Sequence, residues 1–224
     1  MKPQPPRKKA KVPAERTAPD IPSHIRHASV TADILGGPEL SFREVVVENV
    51  SVKDRSFKTA AFEACLLKHV DFTRCNLTGL RLKDVRLVEC DFANSEAIGI
   101  KARRVEFINC RLTGLRAVES EWQDLLISEG DASFSQFGFG IFKTSEFIDC
   151  NFAEADFHGC DLRGTLLKGC ELKNADMTGA KLEEADFRGS RIEGLVAMAA
   201  DLKGAIVDPA QAMIFAELFG LKIR

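Results

Sequence analysis

Residues 160–189, broken into fives, read CDLRG TLLKG CELKN ADMTG AKLEE ADFRG. The third letter is always large and apolar (Leu162, Leu167, Leu172, Met177, Leu182, Phe187), and the first is always small (Cys160, Thr165, Cys170, Ala175, Ala180, Ala185). Carried outward in both directions, the same phase meets an apolar residue at all 34 centres from Phe42 to Val207. For a chain that is 45% apolar, chance gives that run with odds on the order of 10⁻¹². Of the residues two before each centre, only Arg55 is charged. A period of five fits neither a helix nor a strand, so the chain must turn at fixed intervals, with one large and one small side chain per unit facing inward.

These residues resemble the pentapeptide repeat family, whose consensus is Ala-Asp/Asn-Leu/Phe-x-Gly. The resemblance implies an all-β solenoid: a right-handed quadrilateral parallel β-helix with four pentapeptides per coil. Coils about 4.8 Å apart then stack into a rod of roughly 8.5 turns, about 40 Å long. Three segments are expected: a disordered basic, Pro-rich arm over 1–38, the β-helix over 39–208, and a helical cap with dimerisation segment over 209–224.

The arm is set apart by composition. Residues 1–38 hold seven of the eight prolines and seven Lys/Arg against three Asp/Glu, so the arm is at +4 while the remainder is at −6. Its cluster Arg7, Lys8, Lys9 and Lys11 is either a solvated tail or a weak electrostatic contact for a polyanion such as nucleic acid. All seven cysteines (Cys65, Cys75, Cys90, Cys110, Cys150, Cys160, Cys170) fall on the small inward position, where a thiol packs as a small hydrophobe. Stacked parallel Cβ vectors suit a disulfide poorly, and no histidine joins the inward rows, so no metal or other cofactor is expected. Without a run of 18 apolar residues or a secretory segment, the chain reads as cytoplasmic, with no membrane contact.

Between 95 and 144 the consensus thins, and several centres are alanine. Trp122 sits one coil after Ala102, where its bulk either offsets missing volume inside or points outward at a bulge. Phe134 and Phe139 fall on outward positions, as an exposed apolar strip or as rings tucked in by a local irregularity. At Asp208-Pro209 the repeat stops with an N-cap and a proline at the first helical position, and Gly220 closes the short helix. Its stripe Ile214, Phe215, Leu218 and Phe219 is wider than one rod end needs, which makes these four the candidate dimer interface.

No serine elbow, phosphate loop or HExxH pattern occurs, and His69 and His158 are outward and far apart, so no catalytic residue is expected. What remains is a surface. Sorted on a 20-residue coil, the face centred on Phe42, Phe62 and Leu82 is balanced, and the next is acidic. On that acidic side, Glu89, Glu106, Glu129, Glu146, Asp149 and Asp186 form the candidate partner face. The ending DLKGAIVDPAQAMIFAELFGLKIR is similar to the cap of Qnr-type and mycobacterial gyrase-protecting members, and NSEAIGIK at 94–101 is similar to a Qnr-type stretch. That resemblance implies a tail-to-tail homodimer whose acidic surface imitates duplex DNA and binds DNA gyrase or topoisomerase IV, modulating it or protecting it from quinolones. Two functions stand: a non-enzymatic scaffold for a protein partner, and this DNA mimic.

Overall fold

The computed structural model describes residues 15–27 and 37–223. Its strands are β1 (Arg26–His27), β2 (Glu39–Arg43), β3 (Val45–Glu48), β4 (Thr59–Lys68), β5 (Arg81–Val88), β6 (Lys101–Ile108), β7 (Glu121–Ser128), β8 (Ile141–Lys143), β9 (Glu146–Ile148) and β10 (Leu166–Lys168). One helix, α1 (Pro209–Leu218), follows them. All strand pairs are parallel, and within the repeat the register is always 20 residues, as in Phe42↔Phe62↔Leu82↔Ala102↔Trp122↔Phe142. Single bridges continue the same spacing on the other faces, as in Asp71↔Asp91↔Arg111↔Asp131↔Asn151↔Glu171↔Arg191. The chain is therefore a four-faced parallel solenoid, and the phase holds straight through 95–144.

The inward set is the core. Phe72, Phe137, Phe142, Phe147, Phe152, Phe157 and Phe187 are among the largest fully buried side chains, each contributing about 1.5–3 kcal/mol by leaving water. Trp122 is among the inward residues: only 2% exposed, it stacks on Phe142 with centroids 6.0 Å apart and sits opposite the small Ala102 in the register. The turns come from the second residue after nearly every centre (Thr59 and Ala199 are exceptions), which takes a left-handed backbone, whether glycine (Gly189, φ 78°) or not (Asp84, φ 56°; Phe134, φ 58°). A side chain there points away from the axis, so Phe134 and Phe139 are 55% and 59% exposed and the strip reading holds.

The repeat does not account for the N-terminal segment. Residues 15–27 lie along the rod and do not hang free, and β1 pairs with β3 through Arg26↔Val45 and His27↔Val46. The expectation of a structureless arm is corrected over this stretch. Prolines bar a helix, but they do not bar an extended strap, and Pro19 and Pro22 hold the backbone in the form that a strap needs. Arg7, Lys8, Lys9 and Lys11 fall outside the described residues.

Candidate interaction surface

The strap crosses the corner between the first two faces, where Asp84, Arg104 and Asp124 occupy successive left-handed positions. The amide of Thr17 donates to Asp124 Oδ1 at 3.3 Å and that of Asp20 to Asp84 Oδ1 at 2.9 Å. Three extended residues span about 9–10 Å, as do two coils at about 4.8 Å each, so strap and carboxylate row are matched in pitch. Arg16 donates to Glu106 Oε1 at 2.9 Å and approaches Glu146 Oε2 at 3.4 Å. Under this cover Asp84, Glu106 and Asp124 are at most 7% exposed. Arg104 grips Asp84 with a two-pronged contact at 2.5 Å on each oxygen. Burial by itself would raise the Asp84 carboxyl, but the Arg104 fork and the Asp20 amide outweigh it and hold that group below the ordinary carboxylate range.

The six predicted acidic residues fare unequally. Glu106 is buried between Arg16 and Arg86, Glu146 meets Arg16, Glu89 meets His69, and Asp186 is bound by Arg188. Only Glu129 and Asp149 are exposed with no ion pair among the described residues. Sequence reasoning had no signal for the strap's part in this, because nothing periodic marks Arg16. Across the rest of the surface, opposite charges meet one coil apart, as in Arg74–Asp54, Lys83–Glu63 and Arg116–Glu96.

At the other end, the predicted interface residues divide. Phe215 is 8% exposed and plugs the last coil, so it is not open to a second copy, and Ile214 packs partly against the core. Leu218 and Phe219 are 45% and 43% exposed, beside Met213, Leu221 and Ile223. Gln211 decides which side of α1 faces the rod. Its amide Nε2 donates to the carbonyls of Phe187 (2.6 Å) and Ser190 (2.7 Å), its Oε1 accepts from the Asp208 amide, and its own amide donates to Asp208 Oδ1. Asp208-x-x-Gln211 is a reciprocal capping box, a signal legible in the sequence but missed there.

No group of His, Cys, Asp and Glu among the described residues is arranged to hold a metal. His158 Nδ1 lies 2.6 Å from Asp156 Oδ1 with its ring edge-on to Phe139, a local surface contact with no third partner. All seven cysteines are free and buried. No helix of the described residues is long and apolar enough to cross a membrane.

The family profile of pentapeptide repeats matches eight copies, over residues 56–94 and 145–194. Among solved structures, a trypsin-treated variant of QnrB1, a plasmid-mediated fluoroquinolone resistance protein, aligns at 13% identity and a TM-score of 0.44, over 80% of this chain and 99% of its own. HetL, a pentapeptide repeat protein involved in heterocyst differentiation regulation from the cyanobacterium Nostoc, aligns at 14% identity and a TM-score of 0.24, over 78% and 98%. No curated protein matches the sequence.

Proposed function

Because the chain is a pentapeptide repeat protein, we propose that it works without catalysis, as a scaffold whose corner rows take up an extended segment of a protein partner. The strap is the observation that carries this reading: the rod already holds one extended peptide, its own, by backbone amides on a carboxylate row and one arginine between two glutamates. Amide-to-carboxylate contacts do not depend on the bound sequence, whereas the arginine between Glu106 and Glu146 does, so the surface combines general affinity with one anchor. The unpaired thiols support a reducing, cytoplasmic setting. A labelled peptide of residues 13–27 titrated against a chain beginning at residue 37 tests this. Binding with a Kd of about 1–100 μM, lost in Asp84→Asn/Asp124→Asn, is expected; no binding at about 1 mM sinks the reading.

A second reading is favoured by the exposed Leu218, Phe219, Leu221 and Ile223 at the tip of the rod. Two rods joined there place their acidic sides end to end, as a homodimer standing in for duplex DNA on a type II topoisomerase such as DNA gyrase. Four of the six acidic residues are already in contact with a cation or a histidine, which weighs against it. A supercoiling assay with and without a quinolone decides: no change at large molar excess removes this reading and leaves the scaffold.

A further inference from the structure

The first face, balanced when its charges are summed, carries a cationic groove. On each of its strands the central side chain points inside, so two rows of outward side chains flank a floor of backbone. One row runs Arg43, Glu63, Lys83, Arg103, Gln123, Lys143; the other runs Ser41, Ala61, Arg81, Lys101, Glu121, Ile141. The groove between them has a volume of about 570 Å³. Six cations and two carboxylates line it, and the carboxylates are engaged at the margins, Glu63 with Lys83 at 2.7 Å and Glu121 with Lys101 at 3.8 Å. Among the described residues Arg81, Arg103 and Lys143 have no ion pair.

Arg81 is directly opposite Lys101, and Lys83 directly opposite Arg103. Four cations thus stand in a square about 4.8 Å by 6.6 Å, an arrangement that like-charge repulsion disfavours in a sheet. Lys83 and Lys101 follow the rod's pattern, each with a carboxylate one coil outward (Glu63 and Glu121), whereas Arg81 and Arg103 have no ion pair among the described residues, so the square keeps an excess of positive charge. Nothing in the core requires it, since all four side chains are exposed.

We propose that this groove binds the phosphate backbone of a single-stranded nucleic acid, along the line Lys143–Arg103–Lys83. The parallel ladder uses the floor's amides and carbonyls, so a peptide finds no edge to pair with. An occupant charged at every unit of its own backbone gains most from the four cations of the first row with Arg81 and Lys101 beside them, and guanidinium forks at Arg81 and Arg103 fit phosphate oxygens two at a time. Phe62 and Trp122 are buried beneath the groove's floor, and Phe42, partly buried at one end, is stacked on Phe62, so the middle of the groove offers no exposed ring and recognition is of backbone and not of base.

The test is anisotropy of a fluorescein-labelled dT20 with the full chain at rising salt. The expected result is binding that weakens with a log–log salt slope of about −2 to −3, for three or four phosphate contacts. The Arg81→Ala/Lys101→Ala/Arg103→Ala variant should bind at least about tenfold more weakly, and Arg103→Gln alone about threefold, whereas Arg7→Ala/Lys8→Ala/Lys9→Ala/Lys11→Ala should keep most of the binding. Four outcomes overturn the proposal: no binding at low salt, groove variants that bind like wild type, loss confined to the Arg7–Lys11 variant, or a 20-residue polyglutamate or a duplex that binds as tightly as dT20.

Discussion

Arg16 lies between Glu106 and Glu146, two carboxylates whose positions are 40 residues apart in sequence and two coils apart on the rod. One side chain thus links the strap to coils that do not touch each other. Arg16→Glu puts three carboxylates in that place. The strap should then release, seen as rapid cleavage within residues 15–27 under limited proteolysis and a stability loss of about 1–2 kcal/mol. For a domain of this size that is about 2–8 °C in Tm. An unchanged cleavage pattern refutes the strap's anchoring by Arg16.

Acid should loosen the same corner. Asp84 is held below its unfolded value, so its contribution to stability is complete above the ordinary carboxylate pKa of about 3.9 and is lost as pH falls through the folded value. Asp161 and Asp186, gripped by Arg163 and Arg188, act in the same direction. Tm should be flat from about pH 8 to pH 5 and drop below about pH 4, and Asp84→Asn should flatten part of that drop. A steep loss between pH 7 and pH 5 contradicts this assignment.

Gln211→Ala removes the only side-chain donors among the described residues on the carbonyls of Phe187 and Ser190. The expected cost is about 2–4 kcal/mol, read by urea denaturation, with α1 coming away from the rod. If Gln211→Ala melts like wild type, water has replaced the amide and the cap is held by Phe215 alone.

The tip should separate folding from association. Phe215→Asp buries a charge against the last coil and should cost at least about 3 kcal/mol in any oligomeric state. Leu218→Asp/Phe219→Asp, both on exposed side chains, should leave the Tm within about 2 °C while halving the mass measured by light scattering. A wild type that is monomeric at micromolar concentration ends the dimer reading.

Leu162 is fully buried on the axis, with coils on either side of it. Leu162→Asp should cost about 4 kcal/mol or more and abolish the cooperative transition seen by circular dichroism. A near-native melt shows that the axis there tolerates water.

How far the sequence could be read follows from what the solenoid repeats. Leu162 is inward because a side chain at that phase has nowhere else to go, and position alone says so, whereas Trp122 shares the phase but its size left a bulge open until its stacking on Phe142 placed it inside. Phe134 was ambiguous only until its left-handed backbone was seen, which turns the ring out. Arg16 was illegible because its partners, Glu106 and Glu146, become neighbours only once coils stack. Phe215 and Leu218 look alike on a helical wheel, and it takes the capping geometry of Gln211 to choose between them. The square of Arg81, Lys83, Lys101 and Arg103 was hidden by summing a whole face, corners included, when only its two outward rows border the groove.

The seven thiols also have a use beyond packing. Each donates to the carbonyl of the residue 23 positions earlier, as Cys75 does to Val52 and Cys160 to Phe137. Burial pushes the thiols of Cys65 and Cys75 up and that of Cys160 up to about 12, so these three hold almost no thiolate while the coils are closed; Cys90 and Cys150, which hydrogen bonds from Cys110 and Cys170 shift downward, are kept from reagents by their burial. An alkylating reagent then reacts only where the solenoid has come apart. Cys65, Cys75 and Cys90 report from the N-terminal coils, Cys110 from the middle, and Cys150, Cys160 and Cys170 from the coils nearer the helix. The order in which mass spectrometry finds them modified is a record of where unravelling begins and in which direction it spreads.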